Sequence, residues 1–159
     1  MAESPRISIA IPLYNEELVV AELLERTGAV LDELPGGPHE IICVDDGSSD
    51  TTFTLLSDAA RDDPRITAIS LSRNFGQQAA YCAALEHVSG DVVVMMDGDL
   101  QDPPERIAEM LEKYHEGYEV VYAVRVRRKE NFILRACYTV FYWTIQRISP
   151  TPLPRDSGD

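Results

Sequence analysis

Asp91-Val92-Val93-Val94-Met95-Met96-Asp97-Gly98-Asp99 is the stretch that decides the fold of this chain. A short apolar run rich in β-branched residues ends in a turn that carries two carboxylates one residue apart. Residues i and i+2 of an extended backbone point the same way. Hard cations such as Mg²⁺ are held by one or two carboxylates and completed by phosphate oxygens. The spacing therefore predicts a strand that delivers a divalent-metal seat, and with it phosphate-ester chemistry. In so acidic a chain a lone Asp-x-Asp is also an ordinary solvated turn, so the flanking sequence has to choose between them.

Outward from that run, the same unit recurs. Arg6 to Ile11 alternates Ile7, Ile9 and Ile11 with small residues and predicts a strand. Glu16 to Leu34 spaces Val20, Leu23, Leu24, Thr27, Val30, Leu31 and Leu34 as a helix does, with Asn15 as its expected N-cap. Pro35-Gly36-Gly37-Pro38 ends it. Glu40 to Val44 predicts a second strand, Thr51 to Arg61 a helix, Ile66 to Leu71 a third strand and Gln77 to Val88 an Ala-rich helix. After the fourth strand, Val92 to Met96, a helix opens at Asp102-Pro103-Pro104-Glu105 with Asp102 as cap, and Tyr118 to Val124 predicts a fifth strand. Such alternation implies an α/β fold, a mainly parallel sheet with helices on both faces.

Parallel sheets place ligands beyond the carboxyl ends of their strands. The polar clusters Pro12 to Glu17, Asp45 to Asp50, Ser72 to Gln78, Asp97 to Asp102 and Arg125 to Lys129 all fall at such ends. Hydrophilic loops and helix caps explain Asn15, Ser49 and Asp102 taken singly. They explain poorly two acidic clusters aimed at one rim, since crowded carboxylates repel unless a cation or hydrogen-bond donors lie between them.

The 159 residues, 45% hydrophobic and 26% charged, suit one globular domain, and a net charge of -13 argues against nucleic-acid binding. Charge is nonetheless polarised: Arg125 to Arg147 carries six basic residues and one acid, +5 against -18 on the rest. Cys43, Cys82 and Cys137 lack metal-ligand spacing and fall in apolar stretches, which predicts buried free thiols and a reducing compartment. His39, His87 and His115 fall outside the loop clusters and are expected to be surface or packing residues. The N-terminus shows no secretory pattern, and no apolar run approaches the roughly 20 residues of a membrane span.

A dinucleotide is the obvious ligand for a doubly wound sheet, yet the first strand runs into Pro12-Leu13-Tyr14-Asn15-Glu16-Glu17 and not into a Gly-rich turn. A metal at Asp97 to Asp99, with Arg125 approaching from the next strand end, would neutralise phosphates instead.

Ile9-Ala10-Ile11-Pro12-Leu13-Tyr14-Asn15-Glu16-Glu17, Val44-Asp45-Asp46-Gly47-Ser48-Ser49-Asp50, Ser72-Arg73-Asn74-Phe75-Gly76 and Met96-Asp97-Gly98-Asp99-Leu100-Gln101-Asp102-Pro103-Pro104 follow one another in order. Together they resemble the motif set of family 2 glycosyltransferases of the GT-A fold, and more narrowly the polyprenyl-phosphate sugar transferases. The resemblance runs from about Ile7 to Asp159. It implies a nucleotide-sugar donor (UDP- or GDP-linked), a polyprenyl phosphate acceptor such as undecaprenyl or dolichyl phosphate, and inverting displacement at the anomeric carbon. It places Pro12, Tyr14 and Glu16 in the base and ribose pocket, Asp45 at the base, Asp46 in support, Gly76, Asp97 and Gly98 in the nucleotide pocket, and Arg125 on phosphate. Asp99 and Gln101, beside Asp97, would bind Mg²⁺ or Mn²⁺, and Asp159 would be the base if one exists. The acceptor phosphate is already anionic, so a paired acid and base are not required.

The basic stretch fits the acceptor side. Residues 1–130 are expected to form the nucleotide-sugar-binding domain, and 131–159 an amphipathic interface helix with the start of an acceptor region. Asn131 to Ser149 is aromatic and apolar, flanked by Arg127, Arg128 and Lys129, and suits either a bilayer interface or packing on the sheet. Arg127, Arg128, Arg135 and Thr139 are the expected acceptor-phosphate contacts. Two departures stand out: Thr51 where the family usually has Gly, and Gly98 where Ala is commoner. Family members continue well past Asp159, so the chain is expected to be a truncated catalytic domain from the cytoplasmic face of a membrane. Two rivals are a nucleotide-sugar-binding fragment without transfer activity and a Mg²⁺-dependent phosphatase, whose Asp-x-Asp is normally followed by residues other than Leu100-Gln101.

Overall fold

The structure is a computed structural model and describes residues 4–123. One compact unit ends at Leu111 and a second begins at Glu112. Strands β1 (Ile7–Leu13), β2 (Glu40–Asp45), β3 (Ile66–Ser70) and β4 (Val92–Met95) form a sheet in the order β3-β2-β1-β4, every neighbouring pair parallel. Helices α1 (Val20–Glu33), α2 (Thr52–Asp62), α3 (Gln77–Leu85) and α4 (Ile107–His115) alternate with them. The last is entered through a 3-10 turn, Pro104–Arg106.

The two-residue period of the strands sorts their side chains onto two cores. On one face Ile7, Ile9, Ile11 and Leu13 of β1 and Ile41 and Cys43 of β2 meet Val20, Leu23 and Leu31 of α1, Leu56 of α2, and Ile107 and Leu111. On the other, Ala10, Ile42 and Val44 meet Ala80, Tyr81 and Ala84 of α3. All seven β1 residues are buried, which is why that strand reads as an apolar run. Each fully buried Ile or Leu contributes about 1.5–3 kcal/mol relative to exposure. α3 covers β1 and β2 but not β4, so Val93 and Met95 on its face stay 37% and 54% exposed. Small residues at Ala10, Ala80 and Ala84 form the contact between α3 and the sheet.

Pro12 lies inside a central strand, where a missing N–H normally costs a rung. Here the last β1–β4 pair is Ala10 with Met95, and the Ala10 carbonyl already accepts from Met96 N at 3.1 Å. Pro12, two residues on and facing the same side, falls beyond the end of that ladder.

Five sequence expectations change. Tyr118 to Ala123 forms no strand: Tyr118, Val120 and Tyr122 are exposed, and an alternating pattern without a ladder partner does not make a strand. Asn15 does not cap α1. That helix begins at Val20 after a turn in which Glu16 O accepts from Val19 N and Val20 N, and Asn15 bonds across to another loop. Pro103, not Asp102, occupies the cap position before Pro104, the residue whose absent N–H is best tolerated there. Cys82 is exposed, because the buried stripe of α3 runs through Ala80, Tyr81 and Ala84 and leaves it outside, whereas Cys43 is buried with its thiol pushed up to about 12 by desolvation. Ser49 likewise is no cap; Asp50 Oδ1 accepts from Thr52 N at 2.9 Å at the start of α2. His39 is a packing residue, its Nδ1 accepting from Ile7 N at 3.1 Å, and His87 lies on the surface with Nδ1 2.9 Å from Ala83 O. Among the described residues no helix is long and apolar enough to cross a membrane.

Candidate functional site

Because every strand runs the same way, their carboxyl ends share one rim, and there a cleft of about 280 Å³ opens. Pro12, Leu13, Tyr14 and Glu16 line it from the end of β1, Asp46 from β2, Asn74, Gly76 and Gln77 from the start of α3, and Asp97, Gly98 and Asp99 from β4.

The β1 loop is fastened to the β2 loop by a run of short bonds. Asn15 adopts a left-handed conformation, φ 56°, donates its N–H to Ser48 Oγ at 2.8 Å and accepts from Ser49 N at 2.9 Å. Glu16 N donates to the buried Thr52 Oγ1 at 2.9 Å, and Glu17 Oε2 accepts from Thr51 N and Oγ1 at 3.1 and 2.7 Å. The hydroxyl of Thr51, at the position where the resemblance has Gly, is thus in use. These bonds fix the segment that presents Tyr14, 46% exposed, and Glu16 to the cleft.

The β2 end supplies the opposite wall. Asp46 is buried, and its two oxygens accept from Phe75 N and Gly76 N, each at 2.8 Å, so the carboxylate carries the loop that enters α3. That loop passes directly over Gly47, φ 69°, where a Cβ would stand 2.4 Å from Arg73 C. The Arg73 guanidinium lies 4.2 Å over the Phe75 ring on the same loop. Asp45 is buried beneath, accepting from Ser70 Oγ at 3.2 Å and, more loosely, from Ser48 N.

At the end of β4, Asp97 Oδ1 accepts from Gln77 Nε2 at 2.7 Å and from Tyr81 Oη at 2.9 Å. Burial, then that hydrogen bond and the surrounding carboxylates, push the Tyr81 hydroxyl well above the usual tyrosine range. Gly98 packs so closely that a Cβ would meet Pro12 O at 2.9 Å. Asp99 is exposed and accepts from Gln101 N at 2.9 Å, while Leu100 between them is left-handed at φ 60°. The Glu16 carboxyl is raised from its usual 4.5, first by burial, then by the charges of Asp99 and Asp50.

This donor set fits a hard divalent cation. Among the described residues no group of three or more His, Cys, Asp or Glu side chains forms a metal cage. A seat completed by phosphate needs only one or two carboxylates, and the strain that Asp99 and Asp50 impose on Glu16 is of the kind a cation relieves.

Of the residues expected at the site, Pro12, Tyr14, Glu16, Asp46, Gly76, Asp97, Gly98 and Asp99 line one cleft. Asp45 and Gln101 are not among its lining residues; Asp45 lies buried and Gln101 contributes a backbone N–H to Asp99. Arg125, Arg127, Arg128, Arg135, Thr139 and Asp159, with the 131–149 segment and Cys137, lie outside the described residues. Sequence reasoning placed Leu13, Asn74 and Gln77 within the rim clusters without giving them a role, and missed Tyr81. Gln77 and Tyr81 are four residues apart, on one face of a helix, and that was the available signal in an otherwise alanine-rich segment.

A parallel sheet with an acidic turn closing its cleft is the arrangement of the GT-A glycosyltransferases. A mannosyltransferase from Pyrobaculum calidifontis, solved in complex with GDP-Man and Mn2+, matches with a TM-score of 0.60 and 26% identity, over 70% of this chain and 32% of that one. Residues 8–151 match Glycosyl transferase family 2, and the chain belongs to that family. An uncharacterized glycosyltransferase of Bacillus subtilis (strain 168) is 42% identical over 160 residues, covering 100% of this chain and 49% of that protein. An undecaprenyl-phosphate 4-deoxy-4-formamido-L-arabinose transferase of Edwardsiella ictaluri (strain 93-146) is 42% identical over 142 residues, 89% of this chain and 43% of that protein. The chain thus spans about half the length of these curated relatives.

Proposed function

We propose that this chain carries the donor half of an inverting, metal-dependent transferase that moves a sugar from a UDP- or GDP-sugar to a polyprenyl phosphate at the cytoplasmic face of a membrane. The observation that carries this reading is the convergence of Tyr14, Glu16, Asp46, Asp97 and Asp99 on one cleft at the strand ends. Relatives named for undecaprenyl-phosphate sugar transfer and a structural neighbour holding GDP-Man and Mn2+ support it.

In this reading the nucleoside lies between the β1 and β2 walls, with Tyr14 offering an exposed ring and the Asp46-anchored loop closing the side. Asp99, with Asp97 beside it, would hold Mg²⁺ or Mn²⁺. When bound, that cation supplies Lewis-acid neutralisation of the charge developing on the leaving diphosphate. An acceptor phosphate oxygen attacks the anomeric carbon from the face opposite the diphosphate, forming the new C–O bond as the old one breaks and inverting the centre. Asp45 at the base, Gln101 at the metal, Arg125 on the diphosphate, Arg127, Arg128, Arg135 and Thr139 on the acceptor phosphate, and Asp159 as a base complete the proposal. The segment 131–149 would meet the membrane surface.

A second reading is donor binding without transfer, favoured by the chain's spanning about half of its relatives. Titration calorimetry with UDP, GDP and their sugars in Mn²⁺, followed by radiolabelled sugar transfer to a polyprenyl phosphate, separates the two. Metal-dependent binding with transfer supports the enzyme, and binding alone supports the fragment. No nucleotide binding with Mn²⁺ present defeats both.

A further inference from the structure

Gln77 and Tyr81 sit one turn apart on α3, and both donate to the same oxygen of Asp97, Oδ1. The loop that enters this helix is fastened just beyond β2, through Phe75 N and Gly76 N on Asp46. α3 packs on β1 and β2 through Ala80 and Ala84 against Ala10, and its Gln77 and Tyr81 side chains reach Asp97 beyond the end of β4. From this geometry we propose that Tyr81, assisted by Gln77, is a positioning residue for donor binding: it fixes Asp97 through Oδ1 so that the other oxygen, Oδ2, is turned to the nucleotide. The inference rests on the donor reading given above.

Simple packing would account for the Tyr81 ring, which is 9% exposed within the α3 core. It does not account for the hydroxyl. A buried phenol needs some acceptor, and here it takes the one Asp97 oxygen that an amide from the previous turn also uses. Two donors on Oδ1, from successive turns of one helix, restrict how the Asp97 carboxylate can turn while leaving Oδ2 its own acceptor capacity. Charge-assisted bonds of this kind are strong enough to maintain that restraint.

Tyr81→Phe keeps the ring and removes only the hydroxyl, and Gln77→Ala alters an exposed residue that cannot unfold the chain. Each variant is compared with the full 159-residue parent by calorimetry with UDP and GDP in Mn²⁺, and by thermal melting without ligand. Tyr81→Phe is expected to lower affinity about tenfold, the size of one hydrogen bond to a charged group. Its melting curve should follow the parent's, because Asp97 keeps the Gln77 donor. On an Asp97→Asn background the substitution should change affinity no further, the mark of action through that carboxylate. In infrared difference spectra with ¹³C-labelled aspartate, the carboxylate band abolished by Asp97→Asn should shift in Tyr81→Phe. Parent-like affinity in both α3 variants, or losses that add to that of Asp97→Asn, overturns the assignment of Tyr81 alone. A parent that binds neither nucleotide overturns the donor reading beneath it.

Discussion

Two carboxylates at opposite ends of the sheet, Glu40 and Glu16, are held in opposite ways. At the amino end Glu40 is fully engaged: Ser8 Oγ, Ser89 N and Ser89 Oγ all donate to it, and Arg6 pairs with it at 3.3 Å. Burial pushes its carboxyl up, but the hydroxyl and amide donors and the Arg6 charge outweigh that and hold it below the usual 4.5. At the carboxyl end Glu16 is raised, first by burial and then by the charges of Asp99 and Asp50. An acid with its donors in place belongs to the scaffold. One raised by burial and by like charges is a candidate for meeting a bound cation.

The largest break in this contrast comes from the loop crossing at the open end. Gly47→Ala is expected to destabilise the chain by about 3 kcal/mol, through left-handed strain and a Cβ driven into the Arg73 backbone, and to weaken nucleotide binding as well. Urea unfolding checks the first effect and calorimetry the second. Parent-like stability would mean that the Ser72 to Gly76 loop yields easily and does not shape the cleft.

Asp99→Asn should reduce Mn²⁺-dependent affinity for nucleoside diphosphate about a hundredfold, in the range of one strongly charged contact. Its melting point should stay where it is, since an exposed rim carboxylate adds little to stability. Equal affinity in variant and parent would move the metal seat elsewhere.

Glu40→Ala should show the reverse pattern, losing about 2 kcal/mol of stability while leaving nucleotide affinity alone, because Ser8, Ser89 and Arg6 lose their common acceptor. The pH dependence follows from the lowered carboxyl. The contribution of Glu40 is complete above 4.5 and is lost as pH falls through the depressed folded value, so parent and variant should converge in acid. A gap that persisted well below that range would mean the loss is packing and not charge.

Least in size is a thiol contrast. Cys82 should react with a maleimide at once, and Cys43 only on unfolding, since burial raises its thiol to about 12. Prompt labelling at Cys43 would mean that the central strand opens.

Most of the sheet was legible in the sequence because β1 and β2 are buried on both faces and announce themselves as apolar runs. Tyr118 to Ala123 is also apolar at alternate positions but has no strand partner among the described residues, and period alone cannot tell the two apart. At the site, the rim residues were readable because parallel strands must end together. What lay hidden was the division of labour among the acids. Asp46 serves loop backbone, Asp45 lies buried, and Asp97 is held from a helix whose polar flank, Gln77 and Tyr81, was masked by alanines. Asn15 misled for a related reason: Asn favours helix starts and left-handed turns alike, and here Ser48 and Ser49 decided for the turn.

The helix that joins Asp46 to Asp97 also makes the cleft behave as one lever. In the proposed donor reading, a ligand drawn against the Asp46 side loads the same helix that holds Asp97, so the two halves of a nucleotide would not be weighed independently. Nucleoside and inorganic diphosphate, offered separately, should together bind more weakly than the intact molecule by more than linkage entropy accounts for.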